Sequence, residues 1–231
     1  MKKNVRNYLI GAVAVAGVIG FGGGLYTAYS KELTKEVMAA EEATTTMAES
    51  VSSNYDDSNA TGVITLEGNS ATGYGSGYNI SGNIVTINSA GTYVVRGSAE
   101  DMQVVVDADG FDVELVLDGV TLSNTDDAPI FVKNAGSINL HIADGSVNNI
   151  SDVASEIELT DETEREGNSV IFSKEDLTID GTGTLNVVGN YKNGITSKDN
   201  LTINDGNFVV EATNNGIIGK DSLTVNNGTF N

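Results

Sequence analysis

The C-terminal half of the chain repeats itself, and that repetition limits the fold more than any other feature. Residues 193–201 read NGITSKDNL and residues 215–223 read NGIIGKDSL, an offset of 22. Residues 169–177, SVIFSKEDL, stand 24 before the first of these, and residues 128–133 read APIFVK. Aligned this way, Ile130, Ile171, Ile195 and Ile217 share one column, and Lys133, Lys174, Lys198 and Lys220 share another. Leu177, Leu201 and Leu223 form a third, for which Ile138–Ile142 stands in one repeat earlier. After each leucine comes a short strand pattern, a glycine turn and a second strand pattern: LTIDGTGTLNVV, LTINDGNFVV, LTVNNGTF. A period in the low twenties is the signature of a solenoid. The strand segments are rich in Val, Ile, Leu and Thr, with Asn, Asp and Gly between them and no helix-length return segment. Strands that recur once per coil without a crossover helix stack in parallel, about 4.8 Å apart. The predicted fold is therefore all-β: a single-stranded parallel β-helix of about 22–24 residues per coil.

The lysine spacing from 133 to 174 exceeds one coil, and the excess is Ser151–Asn168, SDVASEIELTDETEREGN, with seven acids and one arginine. It reads as a loop pushed out of one turn. Upstream, Thr61–Gly97 carries the strand-like runs VITL, IVTIN and TYVVRG, expected to close the N-terminal end. Downstream, the chain stops at Asn231 in mid-coil, so the solenoid is expected to be truncated at its C-terminus.

Residues 1–30 do not fit the solenoid. Lys2, Lys3 and Arg6 precede an uncharged run from Tyr8 to Tyr29, which ends in Ala28-Tyr29-Ser30. That is the pattern of a signal peptide, and its length also suits an uncleaved membrane anchor. Both readings put the remainder outside the cell, secreted or attached to its surface. Residues 31–60, rich in Ser, Thr, Ala and Glu, are too polar to fold alone and read as a flexible tether. The β-helix is expected over residues 61–231.

Charge and composition exclude several functions. The formal net charge is −20, and from Glu41 onward seven cations face thirty acids. Such a surface repels phosphate backbones and anionic lipid, which rules against nucleic acid and leaves the N-terminal segment as the sole membrane contact. With no cysteine and a single histidine, His141, disulfides, thiolate metal sites and multi-histidine centres are absent. Hard cations with oxygen ligands remain possible partners.

The runs IVTINSAGTYVVRG, VVVDADGFDVELVLDGVTLSNTDDAPIFVKNAG and FSKEDLTIDGTGTLNVVGNYKNGITSKDNLTI resemble a family of secreted bacterial carbohydrate-binding domains. The resemblance spans about Thr61 to Asn231 and is most specific over Ser173–Lys198. It implies a right-handed, pectate-lyase-like β-helix with bound calcium and an association with plant polysaccharides, notably acidic pectic ones. The family commonly carries Asp-Asp-Gly-Ile at the corner before the lysine strand. Here that corner reads Lys192-Asn193-Gly194-Ile195 and Asn214-Asn215-Gly216-Ile217, which keeps an amide oxygen and drops the charge.

Two sets of candidate site residues follow. Lys133, Lys174, Lys198 and Lys220, stacked one per coil, would relieve their mutual repulsion along an anionic polysaccharide such as a polyuronate. A solvated ladder paired with Glu175, Asp199 and Asp221 is the competing reading, and Tyr191, beside Lys192, is the best placed ring for sugar stacking. The metal candidates are Asp107, Asp109, Asp126 and Asp127, with Asn193 and Asn215 supplying amide oxygens. No single short loop here provides the six to eight oxygens that calcium takes, so stacked corners would have to share the task. His141 lies in an alternating strand and is expected to be exposed. The resulting expectation is a non-catalytic polysaccharide-binding module. A calcium-dependent polysaccharide lyase and a passive surface stalk or adhesin are the alternatives. The lyase would need an Arg or Lys base, and after the tether Arg96 and Arg165 stand outside the repeated columns.

Overall fold

The computed structural model describes residues 49–53, 55–152 and 166–231. The N-terminal apolar run, most of the expected tether and most of the acidic insertion lie outside the described residues. The described elements are strands: β1 (Gly62–Gly68), β2 (Ser70–Gly75), β3 (Tyr78–Ser81), β4 (Ile84–Ile87), β5 (Gly91–Ala99) and β6 (Gln103–Asn124). They continue as β7 (Ile130–Ile142), β8 (Val147–Asp152), β9 (Ser169–Ser173), β10 (Leu177–Gly181), β11 (Thr184–Gly189) and β12 (Asn193–Ser197). The series closes with β13 (Asn200–Ile203), β14 (Asn207–Ala212), β15 (Ile217–Gly219), β16 (Ser222–Val225) and β17 (Thr229–Phe230).

The strands form three parallel ladders, and each coil gives one segment to each ladder. The first runs through β4, the starts of β6 and β7, then β9, β12 and β15. The second contains β1, β5, the middle of β6, the end of β7, then β10, β13 and β16. The third contains the ends of β5 and β6, then β8, β11, β14 and β17. Antiparallel pairing occurs at the N-terminal end, between β1 and β2 and between β3 and β4. The result is an all-β, solenoid-like stack, as the repeat predicts.

Register confirms the columns read from the repeat. Ile130, Ile171, Ile195 and Ile217 are successive partners in the first ladder. Ile138, Leu177, Leu201 and Leu223 are successive partners in the second. Ile130, Ile171, Ile195, Leu177 and Leu201 are buried in one continuous core, on which Ile217 packs half-buried. Strand alternation puts every second side chain inside, and stacking brings like residues into contact from coil to coil. Phe208 and Phe230 extend this to the last coil, with rings 4.9 Å apart and 5° from parallel.

The end of the expected tether is held against the stack. Val51 makes an antiparallel bridge with Val147, with both backbone bonds formed. Ser52 Oγ and the Ser53 amide both donate to the buried carboxylate of Asp118, at 3.1 and 2.6 Å. Tyr55 and Ala60 cover Val63, Val94, Val116 and Ala143, apolar side chains on the outside of the second ladder. The crossing needs glycine beneath it: Gly119 has φ +75°, and a Cβ there would lie 2.4 Å from the Ser52 nitrogen.

Candidate functional site

The lysine row is assembled where each coil leaves the first ladder: Lys133 lies within β7, and Lys174, Lys198 and Lys220 directly follow β9, β12 and β15. The amide of Lys174 donates to Val132 O at 2.9 Å, that of Lys198 to Ser173 O at 2.8 Å, and that of Lys220 to Ser197 O at 3.0 Å. Each lysine therefore sits above the one before it, about 4.8 Å higher per coil. Buried serines shape the corner. Ser173 Oγ donates to Glu175 O at 2.7 Å and Ser197 Oγ to the same oxygen at 2.9 Å. The amides of Glu175 and Asp199 donate back to these two hydroxyls, both at 3.2 Å. A serine bonding the backbone two residues on makes a tight turn. The lysine between is left pointing outward.

Phenyl rings lie under the ammonium groups of two of the four lysines. Phe131 and Phe172 alternate with inward-facing Ile130 and Ile171, so they face out of the stack, yet both are buried with Ala128 in a separate small apolar cluster. Lys174 Nζ lies 5.4 Å from the centre of the Phe131 ring, and Lys198 Nζ lies 5.7 Å from the Phe172 ring. In each case the ammonium leans back over the ring of the preceding coil, an attractive cation–π geometry. The repeat singles out the lysines and passes over their rings. The signal for the rings is the phenylalanine two residues before the lysine in both IFVK and IFSK.

Charge is distributed unevenly along the row. Lys133 Nζ is 3.0 Å from Asp107 Oδ2, and Lys174 is paired with Glu166. Among the described residues, Lys198 and Lys220 are exposed and have no acidic partner at ion-pair distance. A ladder to Glu175, Asp199 and Asp221 is thus not the pairing observed. The Asp107 carboxyl is held below its ordinary range by the Asn134 amide and by Lys133, whose own pKa is raised by Asp107 in return. Tyr191 stands at the other end of β12, its ring 4.8 Å from Lys192 Nζ. About 20 Å of chain along the strand separates it from Lys198.

The six metal candidates do not converge. Asp107 Oδ1 accepts from Asn134 at 2.6 Å, in addition to the lysine on Oδ2. Asp109 is exposed, two residues further along β6. Asp126 and Asp127 share the corner between β6 and β7, where Asp127 Oδ1 accepts from the amides of Ala128 and Gly167, both at 2.7 Å. Asn193 lies two coils above, about 10 Å away, and Asn215 one coil higher still. Asn193 Oδ1 accepts from Asn214 Nδ2, Asn215 N and Asn215 Nδ2 at 3.2, 3.3 and 3.2 Å, so the asparagines close a ladder with each other. Among the described residues no three acidic or histidine side chains are grouped to hold a metal ion.

His141 differs from expectation. It is half-buried, its Nδ1 2.7 Å from Asp180 Oδ1, with its ring centre 6.0 Å from that of Tyr55. Arg96 donates to Asp57 at 2.8 Å and lies 3.6 Å from Asp118. It therefore anchors the N-terminal segment. Arg165 lies outside the described residues.

A sequence profile described as "Carbohydrate-binding domain-containing protein" matches residues 81–231. The chain belongs to this carbohydrate-binding domain family. A relative of the same description from Acetivibrio thermocellus is 39% identical over 137 residues, which is 59% of this chain and 48% of the relative. The chain thus spans about half the length of the curated relative it matches. A solved structure, described as that of the polysaccharide lyase-like protein from C. thermocellum in a gadolinium derivative, is similar with a TM-score of 0.69 and 35% identity. That similarity covers 74% of this chain and 69% of the other. The family match includes the whole lysine row and begins within β3.

Proposed function

We propose that the protein is a non-catalytic, extracellular polysaccharide-binding module in which the lysine row receives an acidic glycan of the pectin or polygalacturonate type. The family supports carbohydrate as the partner. One observation supports the acidic class: Lys198 and Lys220 stand one above the other, exposed and unanswered by any described acid, on a protein of net charge −20. Long-range steering opposes an anionic ligand here, so its recognition has to come from contacts at the row. The buried Phe172 ring and the Ser197 turn fix Lys198, which lowers the entropic cost of presenting it to a ligand. On this reading the stack is a right-handed parallel β-helix, and the protein is secreted or held at the cell surface by its N-terminal segment.

A lyase is the second reading, favoured by the description of the similar solved structure as polysaccharide lyase-like. Against it, the Arg96 guanidinium is committed to Asp57 rather than to an open face. Calcium dependence is a separate proposal, supported by the resemblance and by the carboxylates at the Asp126–Asp127 corner. The deciding experiment is a binding panel of polygalacturonate, pectins and neutral glucans, each also assayed for unsaturated cleavage products. Retention on polygalacturonate without product supports the module. Product formation supports the lyase, and no retention on any glycan contradicts both.

A further inference from the structure

Two of the four lysines in the row are answered from within the chain, and the acids that answer them come from elsewhere in the repeat. Asp107 belongs to the preceding coil, where the register shifts between Val106 and Asp107 and brings its carboxylate 3.0 Å from Lys133 Nζ. Glu166 precedes Lys174 by eight residues, on the approach to β9. Its backbone is pinned on the outer face. Gly167 gives its amide to Asp127 at 2.7 Å, and a Cβ at Gly167 would lie 2.7 Å from Ala128 Cβ and 3.4 Å from Phe172 Cβ. Glu166 thereby crosses beside the buried rings and sets its carboxylate on the ammonium that leans over Phe131.

A carboxylate fixed on an ammonium makes the contact that a uronate of a bound chain would make. We infer that Asp107 and Glu166 are internal stand-ins for ligand carboxylates, closing the lower half of the row and leaving Lys198 and Lys220 as its open subsites. This rests on the reading of the row as an acidic-glycan site. The two stand-ins are not equivalent. Asp107 is held by Asn134 as well as by Lys133, and its side chain is 33% exposed. The Glu166 side chain is 52% exposed, and Lys174 is its ion-pair partner. Exposed pairs of this kind are weak and exchange readily. Glu166 is thus a specificity-determining residue. An acidic chain reaching beyond Lys198 and Lys220 must displace it from Lys174, whereas a neutral chain gains nothing by doing so.

The test is a comparison of dissociation constants at low ionic strength for polygalacturonate oligomers and for a neutral glucan. The proteins are the parent, Glu166→Gln, Lys174→Ala, the double variant and Glu175→Gln as a charge-matched control. Glu166→Gln should bind polygalacturonate about two- to fivefold more tightly than the parent. The gain should disappear in the Lys174→Ala background and exceed that of Glu175→Gln, with glucan binding unchanged. Parent-like affinity for Glu166→Gln overturns the inference alone, and so does a gain that persists without Lys174. Failure of parent and Glu166→Gln alike to bind polygalacturonate removes the proposed function, and the inference with it.

Discussion

The backbone amide of Ser53 donates a 2.6 Å hydrogen bond to Asp118 Oδ1, joining residues 65 apart in the sequence. Asp118 is 1% exposed, also receives the Ser52 hydroxyl and faces Arg96, so one buried carboxylate holds the segment that covers the second ladder. Asp118→Ala removes charge-assisted bonds from a buried acceptor and leaves the half-buried Ser53 amide and Arg96 without it, at a cost of roughly 2–4 kcal/mol. Urea unfolding should show a lowered midpoint, and a chain starting at Thr61 should show a comparable loss. Parent-like midpoints in both would mean that the segment is only laid on the surface.

Ile195 is fully buried between Ile171 and Ile217. Shortening it to alanine leaves a cavity between coils and should cost about 2–5 kcal/mol. For a domain of this size that lowers the melting temperature by on the order of 10 °C. A midpoint within a degree of the parent contradicts the stacked core.

Asp107 and Lys133 predict opposite ends of a pH profile. The aspartate pKa is depressed, so its contribution is full above its unfolded value of about 3.9 and is lost as pH falls through the lower folded value. The lysine pKa is raised, so its contribution is full below its unfolded value of about 10.4 and is lost as pH rises through the folded one. Melting temperature against pH should therefore show Asp107→Asn below the parent at neutral pH, with the gap closing in acid. A gap of constant size from neutral pH to about pH 2 contradicts a charge contribution from Asp107.

The periodicity that predicts the isoleucine and leucine columns also places the lysines, because one register governs inward and outward side chains alike. Several features follow from contacts that periodicity does not encode. Phe131 and Phe172 occupy outward positions, where alternation predicts solvent, and become visible only once Lys174 and Lys198 are seen leaning back one coil. Glu166 reaches Lys174 because Gly167 is pinned by Asp127. The Ser53–Asp118 bond depends on a segment whose composition reads as a tether. Asn193 and Asn215 resemble metal ligands in sequence, and they bond each other because amides, unlike carboxylates, both donate and accept.

Calcium addition tests the ion proposal directly. An ion at a hundred times its dissociation constant adds about 2.7 kcal/mol to stability. That corresponds to a rise of on the order of 5–10 °C in melting temperature. Millimolar calcium is expected to give such a rise over chelator, and Asp126→Asn with Asp127→Asn to abolish it. Identical melts with calcium and chelator remove the proposal.

Binding of polygalacturonate by the Lys198→Ala, Lys220→Ala double variant tests the central claim. Both side chains are exposed, so the fold should survive, as an unchanged melting temperature would show. Affinity for polygalacturonate is predicted to fall about five- to thirtyfold, since each ammonium–carboxylate pair removed is worth roughly 0.5–1 kcal/mol. Binding to neutral glucans should stay as in the parent. Parent-like affinity of the double variant for polygalacturonate would contradict the lysine row as the binding site.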